Sequence, residues 1–322
     1  MAIPLPADAS ARTPRRSAVV IVNGRAGRAR HLWSEERVRA GLGATIDPRF
    51  VYPASPEETA AVARQAAAAC ADLVIVAGGD GTANRVAGAL AGSRVALGIL
   101  PLGTGNDLVR TLGLPASWPE AVANIPRATA HPFDLLEVNG DPACTVGLIG
   151  AVAESAARVI RLGRRGARTR PIVEWLGRAT WRLSGTATLL GPGIARRLRV
   201  SYEDAASGVE SQIDREAIGV FLANGTRLGG GLNLPVCSRV DDGVFEVCVV
   251  NAVARPKLLY GFTCLMRGWT VPRGVLDVLP ARAARITLPR PGPFSADGEL
   301  FADATSFDVR VRPGALWVLR MA

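Results

Sequence analysis

Short apolar runs alternate with longer amphipathic segments over the first 130 residues of the chain. Residues 18–22, 73–77 and 95–100 are apolar over almost their whole length, which is typical of strands buried on both faces of a parallel sheet. Residues 33–42 are amphipathic, and Ser55-Pro56-Glu57-Glu58 is a capping box that predicts the start of an alanine-rich helix through residue 71. The alternation predicts a doubly wound α/β domain, in which ligands bind at the carboxyl ends of the strands.

The pattern changes near residue 130, where short alternating segments separated by turns begin. These segments predict a second, mainly antiparallel β domain with a few helices. The expected strands are residues 143–149, 197–202, 217–223, 244–250 and 284–288, and closing strands are expected at 307–311 and 315–319.

Residues 154–196 combine a helical spacing of apolar positions with many arginines, which predicts amphipathic basic helices. Such helices either cover the β domain and extend their arginines into water, or lie against an anionic membrane. The sequence favours the first reading slightly, and the second stays open.

Composition and charge narrow the classes of partner. The net charge of +10 comes almost entirely from arginine, which suits an anionic partner such as ATP or acidic lipid headgroups but is also what an arginine-rich coding bias produces. No aromatic-plus-basic recognition motif is present, so nucleic acid is not expected as a partner.

Several features concern the compartment and the metal chemistry. The five cysteines lack CxxC spacing and the two histidines lack ligand-like spacing, which predicts buried, reduced thiols and no histidine-based metal site. No uncharged apolar run approaches the roughly 18 residues of a membrane-spanning helix. The first residues do not resemble a signal peptide, so we expect a cytoplasmic protein, with contact to the inner face of the membrane as an option.

Two glycine-rich turns follow two of the predicted strands, and each carries an aspartate. They read Gly78-Gly79-Asp80-Gly81-Thr82 and Pro101-Leu102-Gly103-Thr104-Gly105-Asn106-Asp107. Glycines let backbone N–H groups approach a ligand closely, and the helix after the first turn adds the positive end of its dipole, so phosphate is the expected guest. Neither turn matches a Walker loop or a GxGxxG dinucleotide fingerprint.

With Asn84, these two turns resemble the catalytic domain of the diacylglycerol kinase and sphingosine kinase family, in particular its soluble bacterial lipid kinases. The resemblance implies ATP-dependent phosphorylation of a lipid hydroxyl. The implied ATP-binding residues are Asn23, Gly78, Gly79, Gly81, Thr82, Gly103, Thr104, Gly105 and Asn106. Magnesium prefers oxygen ligands, and Asp80 and Asp107 are the candidates for organising it.

Later motifs also match the family. In Asp297-Gly298-Glu299, the resemblance implies that Glu299 is the general base, with Asp134 supporting it in the active-site charge network. It also implies a structural divalent cation held by Asp242 and the backbone carbonyl of Val244, although Arg239 stands where relatives often offer an oxygen donor. A hairpin turn is the plain alternative for this last motif.

Relatives return their C-terminus to the first domain, and we expect the same here. The predicted division is a disordered tail over 1–16, an α/β ATP-binding domain over 17–130 plus 306–322, and a mainly β lipid-substrate domain over 131–305.

Two other functions remain open. NAD kinase shares a GGDGT-type turn, so the acceptor is alternatively a soluble nucleotide, although residues 101–107 favour the lipid branch. A catalytically silent, nucleotide-binding regulator on membranes is the non-enzymatic alternative. The sequence does not choose among lipid acceptors, and it is compatible with a homo-oligomer.

Overall fold

The computed structural model describes residues 15–24, 33–103, 105–164, 178–228, 231–236 and 239–321. Within these residues, the strands form one 14-stranded mixed sheet and one separate two-stranded ribbon. The helices cover the faces of the large sheet. No helix among the described residues is long and apolar enough to span a bilayer.

The N-terminal part is the predicted doubly wound α/β unit. Its strands are β1 (Arg16–Val22), β2 (Ile46–Val51), β3 (Leu73–Gly78) and β4 (Ala96–Pro101), which pair in parallel in the order β2-β1-β3-β4. The helices are α1 (Glu35–Leu42), α2 (Pro56–Ala68), α3 (Asp80–Leu90), α4 (Asp107–Thr111) and α5 (Trp118–Asn124). β3 and β4 are buried throughout, as their apolar sequences predict.

The C-terminal part is mainly antiparallel, as predicted. Its strands are β5 (Thr129–Val138), β6 (Asp141–Ala143), β7 (Val146–Gly150), β8 (Arg196–Asp204), β9 (Glu210–Ala223), β10 (Arg227–Leu228), β11 (Leu232–Asn233), β12 (Phe245–Asn251), β13 (Leu276–Gly292), β14 (Phe294–Ala296), β15 (Glu299–Leu300) and β16 (Ala304–Arg320). The fold class predicted from the sequence is therefore confirmed.

β16 joins the two parts into one sheet. Near its end, Trp317 pairs in parallel with Ala96 of β4, while the same strand runs antiparallel to β5 and β13. Two closing strands were expected here, but the structure has one long strand whose register with β5 shifts between Arg312 and Leu316. Pro313 and Gly314 lie inside this shift and are accommodated as a bulge.

The strand expected over residues 143–149 is also different from the prediction. It is divided into β6 and β7, and the break falls at Cys144 and Thr145. The amide groups of both residues donate hydrogen bonds to the carboxylate of Asp297 instead of joining a ladder. A side-chain acceptor from a distant part of the chain therefore ends the strand.

Three helices cover one face of the C-terminal strands. They are α6 (Ala151–Arg164), α7 (Arg178–Leu190) and α8 (Arg255–Arg267). Ser155 and Ser184 join α6 to α7 by a hydroxyl contact of 3.0 Å, and Gly185 of α7 lies against the ring of Phe262 in α8. The helices that the sequence predicted over residues 154–196 thus cover the β strands, although residues 165–177 lie outside the described residues.

The cysteines and the N-terminal residues differ in part from the prediction. Cys70 is exposed at the end of α2, where its φ is 52°, whereas Cys144, Cys248 and Cys264 are buried as expected. Cys237 and residues 1–14 of the predicted tail lie outside the described residues, and Arg16 already belongs to β1.

Candidate active site

Three strand ends meet at the carboxyl edge of the parallel sheet. After β1, the Asn23 amide donates to the carbonyl of Ala77 at 2.9 Å, and its side-chain amide donates to the hydroxyl of Thr82 at 2.8 Å. After β4, the Leu102 amide donates to the carbonyl of Gly78 at 2.9 Å. The predicted nucleotide turns therefore lie side by side, as the topology rule requires.

The two glycine-rich turns touch each other through their backbones. A Cβ placed on Gly103 would lie 2.5 Å from the Cα of Gly79, so this contact requires glycine. A Cβ on Gly105 would lie 2.5 Å from Oδ2 of Asp80. These close approaches keep the first turns of α3 and α4 together, while Thr104 lies outside the described residues.

Asp80 and Asp107 begin α3 and α4, and their carboxylates share one partly enclosed site. The Leu108 amide donates to Oδ1 of Asp80 at 3.3 Å, and the amides of Asn106 and Asp107 also hydrogen-bond to this carboxylate. Burial raises the pKa of Asp80 despite these hydrogen bonds. Burial and the negative charge of Asp80 raise the pKa of Asp107 to about 7.

Two carboxylates that repel each other in a poorly hydrated site fit a divalent cation, which would relieve the repulsion. Magnesium needs only one or two protein carboxylates when phosphate oxygens and water complete its coordination. The described residues contain no group of three or more His, Cys, Asp or Glu side chains that could hold a metal by itself. Asp80 and Asp107 fit a magnesium ion whose coordination phosphate oxygens and water complete.

Asp297 is a site residue that the sequence analysis did not single out. Its carboxylate accepts hydrogen bonds from the amide of Cys144 at 2.6 Å, from the amide of Thr145 at 3.1 Å and from the Thr145 hydroxyl. Burial raises its pKa, and its charge is close enough to raise the pKa of Asp107 further. The positive φ of 48° at Asp297 directs the chain into Gly298 and Glu299.

Glu299 lies beside the start of α3. Its Oε1 is 2.8 Å from a guanidinium nitrogen of Arg85, and it would be 3.3 Å from a Cβ built on Gly81. Arg85 comes one helical turn after Gly81, and the sequence analysis did not select it. The proposed base and the first glycine-rich turn are thus adjacent, as the mechanism inferred from the sequence needs.

Asp134 has a different environment from the one predicted. Its two carboxylate oxygens accept hydrogen bonds from the amides of Gly243 and Gly314, each at 2.7 Å, and the side chain is 1% exposed. These contacts tie β5 to the turn before β12 and to the bulge in β16. These hydrogen bonds give Asp134 a structural role, and its predicted support of the base stays a prediction.

The turn proposed to hold a structural cation is stabilised by the protein itself. Asp242 accepts hydrogen bonds from the amides of Arg239 at 2.9 Å and Val244 at 3.1 Å. The guanidinium of Arg239 pairs with Asp241 at 2.9 Å. Since a positive side chain stands at this turn and both Asp242 oxygens accept amides, these residues do not fit a divalent-cation site.

A cavity of about 350 Å³ begins at the acidic cluster and continues under the helices. Asp80, Asp107 and Asp297 line one end. The rest is mainly apolar and includes residues from β7, β9, β12 and all three covering helices, among them Leu148, Trp181, Leu189, Phe221, Leu258, Phe262, Leu265 and Val271. The cavity is thus acidic at one end and has mainly apolar walls along the rest of its length.

Both halves of the chain match known families. Residues 17–138 match the diacylglycerol kinase catalytic domain, and residues 195–320 match the YegS C-terminal NAD kinase beta sandwich-like domain. The crystal structure of a diacylglycerol kinase from Bacillus anthracis str. Sterne superposes with a TM-score of 0.69 at 20% identity, covering 94% of this chain and 96% of that one. This last likeness supports the fold.

Two relatives are similar over most of the sequence. "Diacylglycerol kinase" of Mycobacterium tuberculosis (strain H37Rv) is 29% identical over 256 residues, which are 77% of each chain. "Probable lipid kinase YegS-like" of Stenotrophomonas maltophilia (strain K279a) is 31% identical over 257 residues, which are 76% of this chain and 77% of the relative. With both domains matched in order, the chain belongs to the family of YegS-like lipid kinases that carry a diacylglycerol kinase catalytic domain.

Proposed function

We propose that this protein is an ATP-dependent lipid kinase, which transfers the γ-phosphate to a hydroxyl of a diacylglycerol-like or sphingoid-like acceptor. The observation that carries the proposal is the single cavity that joins the acidic cluster to an apolar chamber. A lipid with its hydroxyl at the acidic end of the cavity, beside the Asp297-Gly298-Glu299 turn, has its chains among Leu148, Phe221 and Phe262. Burial of these chains is favourable by roughly 0.8 kcal/mol for each CH₂ group.

The glycine-rich turns bind the phosphates of ATP in this account. Their backbone N–H groups and the positive end of the α3 dipole provide the donors, and Thr82 adds a hydroxyl that Asn23 orients. Asp80 and Asp107 would hold the magnesium ion, which supplies neutralisation of the negative charge that develops on the phosphates. Arg110, whose guanidinium lies 3.7 Å from Asp107, and Arg227 partly offset the rise in the pKa of that carboxyl.

Glu299 acts as the general base. Its carboxylate takes the proton of the acceptor hydroxyl as the acceptor oxygen forms a bond to the γ-phosphorus. The bond between this phosphorus and the β–γ bridging oxygen breaks, and ADP leaves with the bonding electron pair. Asp297 positions Glu299 by fixing the turn between them to Cys144 and Thr145.

Arg85 is the cation closest to the reacting groups among the contacts described. Its guanidinium holds Glu299 at 2.8 Å and follows the phosphate-binding turn by one helical turn. We assign it two tasks, which are to orient the base and to stabilise the transferring phosphoryl group.

The division of labour follows the predicted domains. Residues 17–130 with 306–322 bind ATP, and residues 131–305 bind the lipid. The glycine-rich turns belong to the first part, and the apolar walls of the cavity belong to the second, which supports this division.

A competition between acceptors tests the proposal against the nearest alternative. The purified protein, labelled ATP and magnesium are incubated with NAD alone, with diacylglycerol in mixed micelles, or with both. We expect labelled phosphate in the lipid, in an amount that the addition of NAD does not lower. Label in NAD, with none in lipid, would replace the proposal with a soluble-nucleotide kinase.

A further inference from the structure

Helices α7 and α8 form the roof of the cavity, and their inner faces line it. Trp181 and Leu189 of α7 and Leu258 and Phe262 of α8 point into the chamber. Among the described residues, these two helices cover an acyl-sized space on this side. A water-soluble helix in such a position normally has a polar outer face.

The outer face of this roof is apolar instead. Leu183 and Leu190 of α7 are 61% and 53% exposed, and Tyr260 of α8 and the following Trp269 are 55% and 49% exposed. These are four of the nine large hydrophobic side chains that are exposed in the described part of the chain. Their concentration on one pair of helices marks an interaction surface, whereas scattered exposed residues need no explanation.

The charge on the same elements has one sign. Neither residues 175–202 nor residues 252–276 contain an aspartate or glutamate. Arg182 of α7 is exposed, the exposed cations of residues 252–276 are Arg255, Lys257, Arg267 and Arg273, and the guanidinium of Arg267 lies 4.7 Å from the ring centre of Trp269. Aromatic side chains interleaved with Lys and Arg are typical of segments that lie at a bilayer–water interface.

We propose that the outer face of α7 and α8, with Trp269, docks on an anionic membrane, so that the acceptor lipid enters the cavity beneath it. We call this face the roof surface and define it by Leu183, Leu190, Tyr260, Trp269, Lys257 and Arg267. Its positive charge complements anionic headgroups, and its apolar side chains reach the acyl boundary. The inference rests on the proposed function only for the identity of the ligand in the cavity.

Vesicle flotation without ATP tests the docking separately from catalysis. The full chain is mixed with phosphatidylcholine vesicles, or with vesicles in which about one third of the lipid is phosphatidylglycerol. The test variants are Leu183→Ser with Leu190→Ser, and Lys257→Glu with Arg267→Glu. None of these four side chains is among the cavity-lining residues.

Control variants make one change of each kind at an exposed position elsewhere. Val209→Ser removes an apolar side chain that is 59% exposed on the hairpin between β8 and β9, and Arg49→Glu reverses an exposed charge on β2. Circular dichroism and melting temperature verify that every variant is folded.

The wild-type protein and both controls should float with the anionic vesicles, and added salt should weaken this binding. Each roof variant should lose at least about tenfold in partition coefficient, since two charges or two buried leucines are removed from the interface. Equal flotation of roof variants and controls, or no flotation of the wild type, would overturn the proposal. Self-association of the wild type that the leucine variant abolishes, without vesicle binding, would replace the membrane with a second copy of the chain.

Catalysis gives an independent readout. The roof variants should keep wild-type turnover on a short-chain diacylglycerol in solution and lose it on vesicles. Docking without any lipid phosphorylation would contradict the kinase assignment but not the proposed membrane-docking role of the roof surface.

Discussion

The guanidinium of Arg85 and the carboxylate of Glu299 form an ion pair of 2.8 Å between residues 214 positions apart in the sequence. Both side chains are partly exposed, at 28% and 25%, so the pair adds little to stability. The ion pair instead fixes geometry, because it holds the end of the Asp297-Gly298-Glu299 turn against α3, the helix that follows the first glycine-rich turn.

Replacement of Arg85 by methionine should lower kcat roughly 10- to 100-fold, because both the orientation of the base and a charge near the phosphates are lost. Arg85→Lys should recover part of this loss, since it restores the charge without the planar fork. Steady-state kinetics with separate variation of ATP and lipid measure the effect. An unchanged kcat in Arg85→Met, with only the KM for lipid altered, would remove Arg85 from the reacting centre.

The acidic cluster makes the free protein sensitive to pH. The pKa of Asp107 is raised to about 7 in the folded state, above the value of about 3.9 expected for the unfolded chain. Below pH 4 the carboxyl is protonated in the folded and the unfolded state and does not change the free energy of unfolding. Above pH 7 it is ionised in both states, and the unfavourable charge in the folded state lowers the free energy of unfolding.

Asp107→Asn should therefore raise the free energy of unfolding at pH 8 without magnesium, by up to about 4 kcal/mol. The gain should shrink as the pH falls from 7 to 4. Urea unfolding at several pH values, with and without magnesium, measures this difference. A gain that is independent of pH would contradict the assigned ionisation.

The apolar cavity should determine which chain lengths are accepted. Val271 lines the cavity and is partly exposed, so Val271→Trp should narrow the space at a tolerable cost in stability. We expect kcat/KM to fall at least tenfold for long-chain acceptors and to change little for short-chain ones. Val209→Trp, on a distant hairpin, is the control. A uniform fall across all chain lengths would place the acyl chains elsewhere.

Asp134 should be needed for folding more than for turnover. Asp134→Ala leaves the amides of Gly243 and Gly314 buried without their acceptor, which should cost on the order of 3 kcal/mol. The folded fraction should keep kcat within a few-fold of wild type. Urea unfolding and active-site-normalised kinetics check the two parts, and a stable but inactive variant would return Asp134 to the catalytic network.

The parts of the account that the sequence predicted are local. Gly78–Thr82 and Pro101–Asp107 each contain their own strand end, turn and helix start, and burial of β3 and β4 follows from their composition. The topology rule then places both turns at one edge. Each turn could be predicted from a few consecutive residues.

The parts that the sequence did not predict depend on distant pairs. No local motif marks Arg85, and Asp297 is read from the sequence as part of a turn; their partners, Glu299 for Arg85 and the amides of Cys144 and Thr145 for Asp297, are distant in the sequence. The cavity is lined by positions on β7, β12 and α8 that each look like normal core positions. The structural role of Asp134 was not predicted, because the sequence did not reveal that two glycine amides hydrogen-bond to its carboxylate.

The most direct test is transfer of labelled γ-phosphate from ATP to a panel of lipids in mixed micelles, with Glu299→Gln as the control. The panel includes diacylglycerol, a sphingoid base and a polyprenyl alcohol. The account predicts label in one class of lipid, lost at least about 100-fold in Glu299→Gln while ATP binding is retained. Lipid phosphorylation that survives in this variant would contradict the assigned base, and no labelled lipid from a wild type that binds ATP would contradict the function itself.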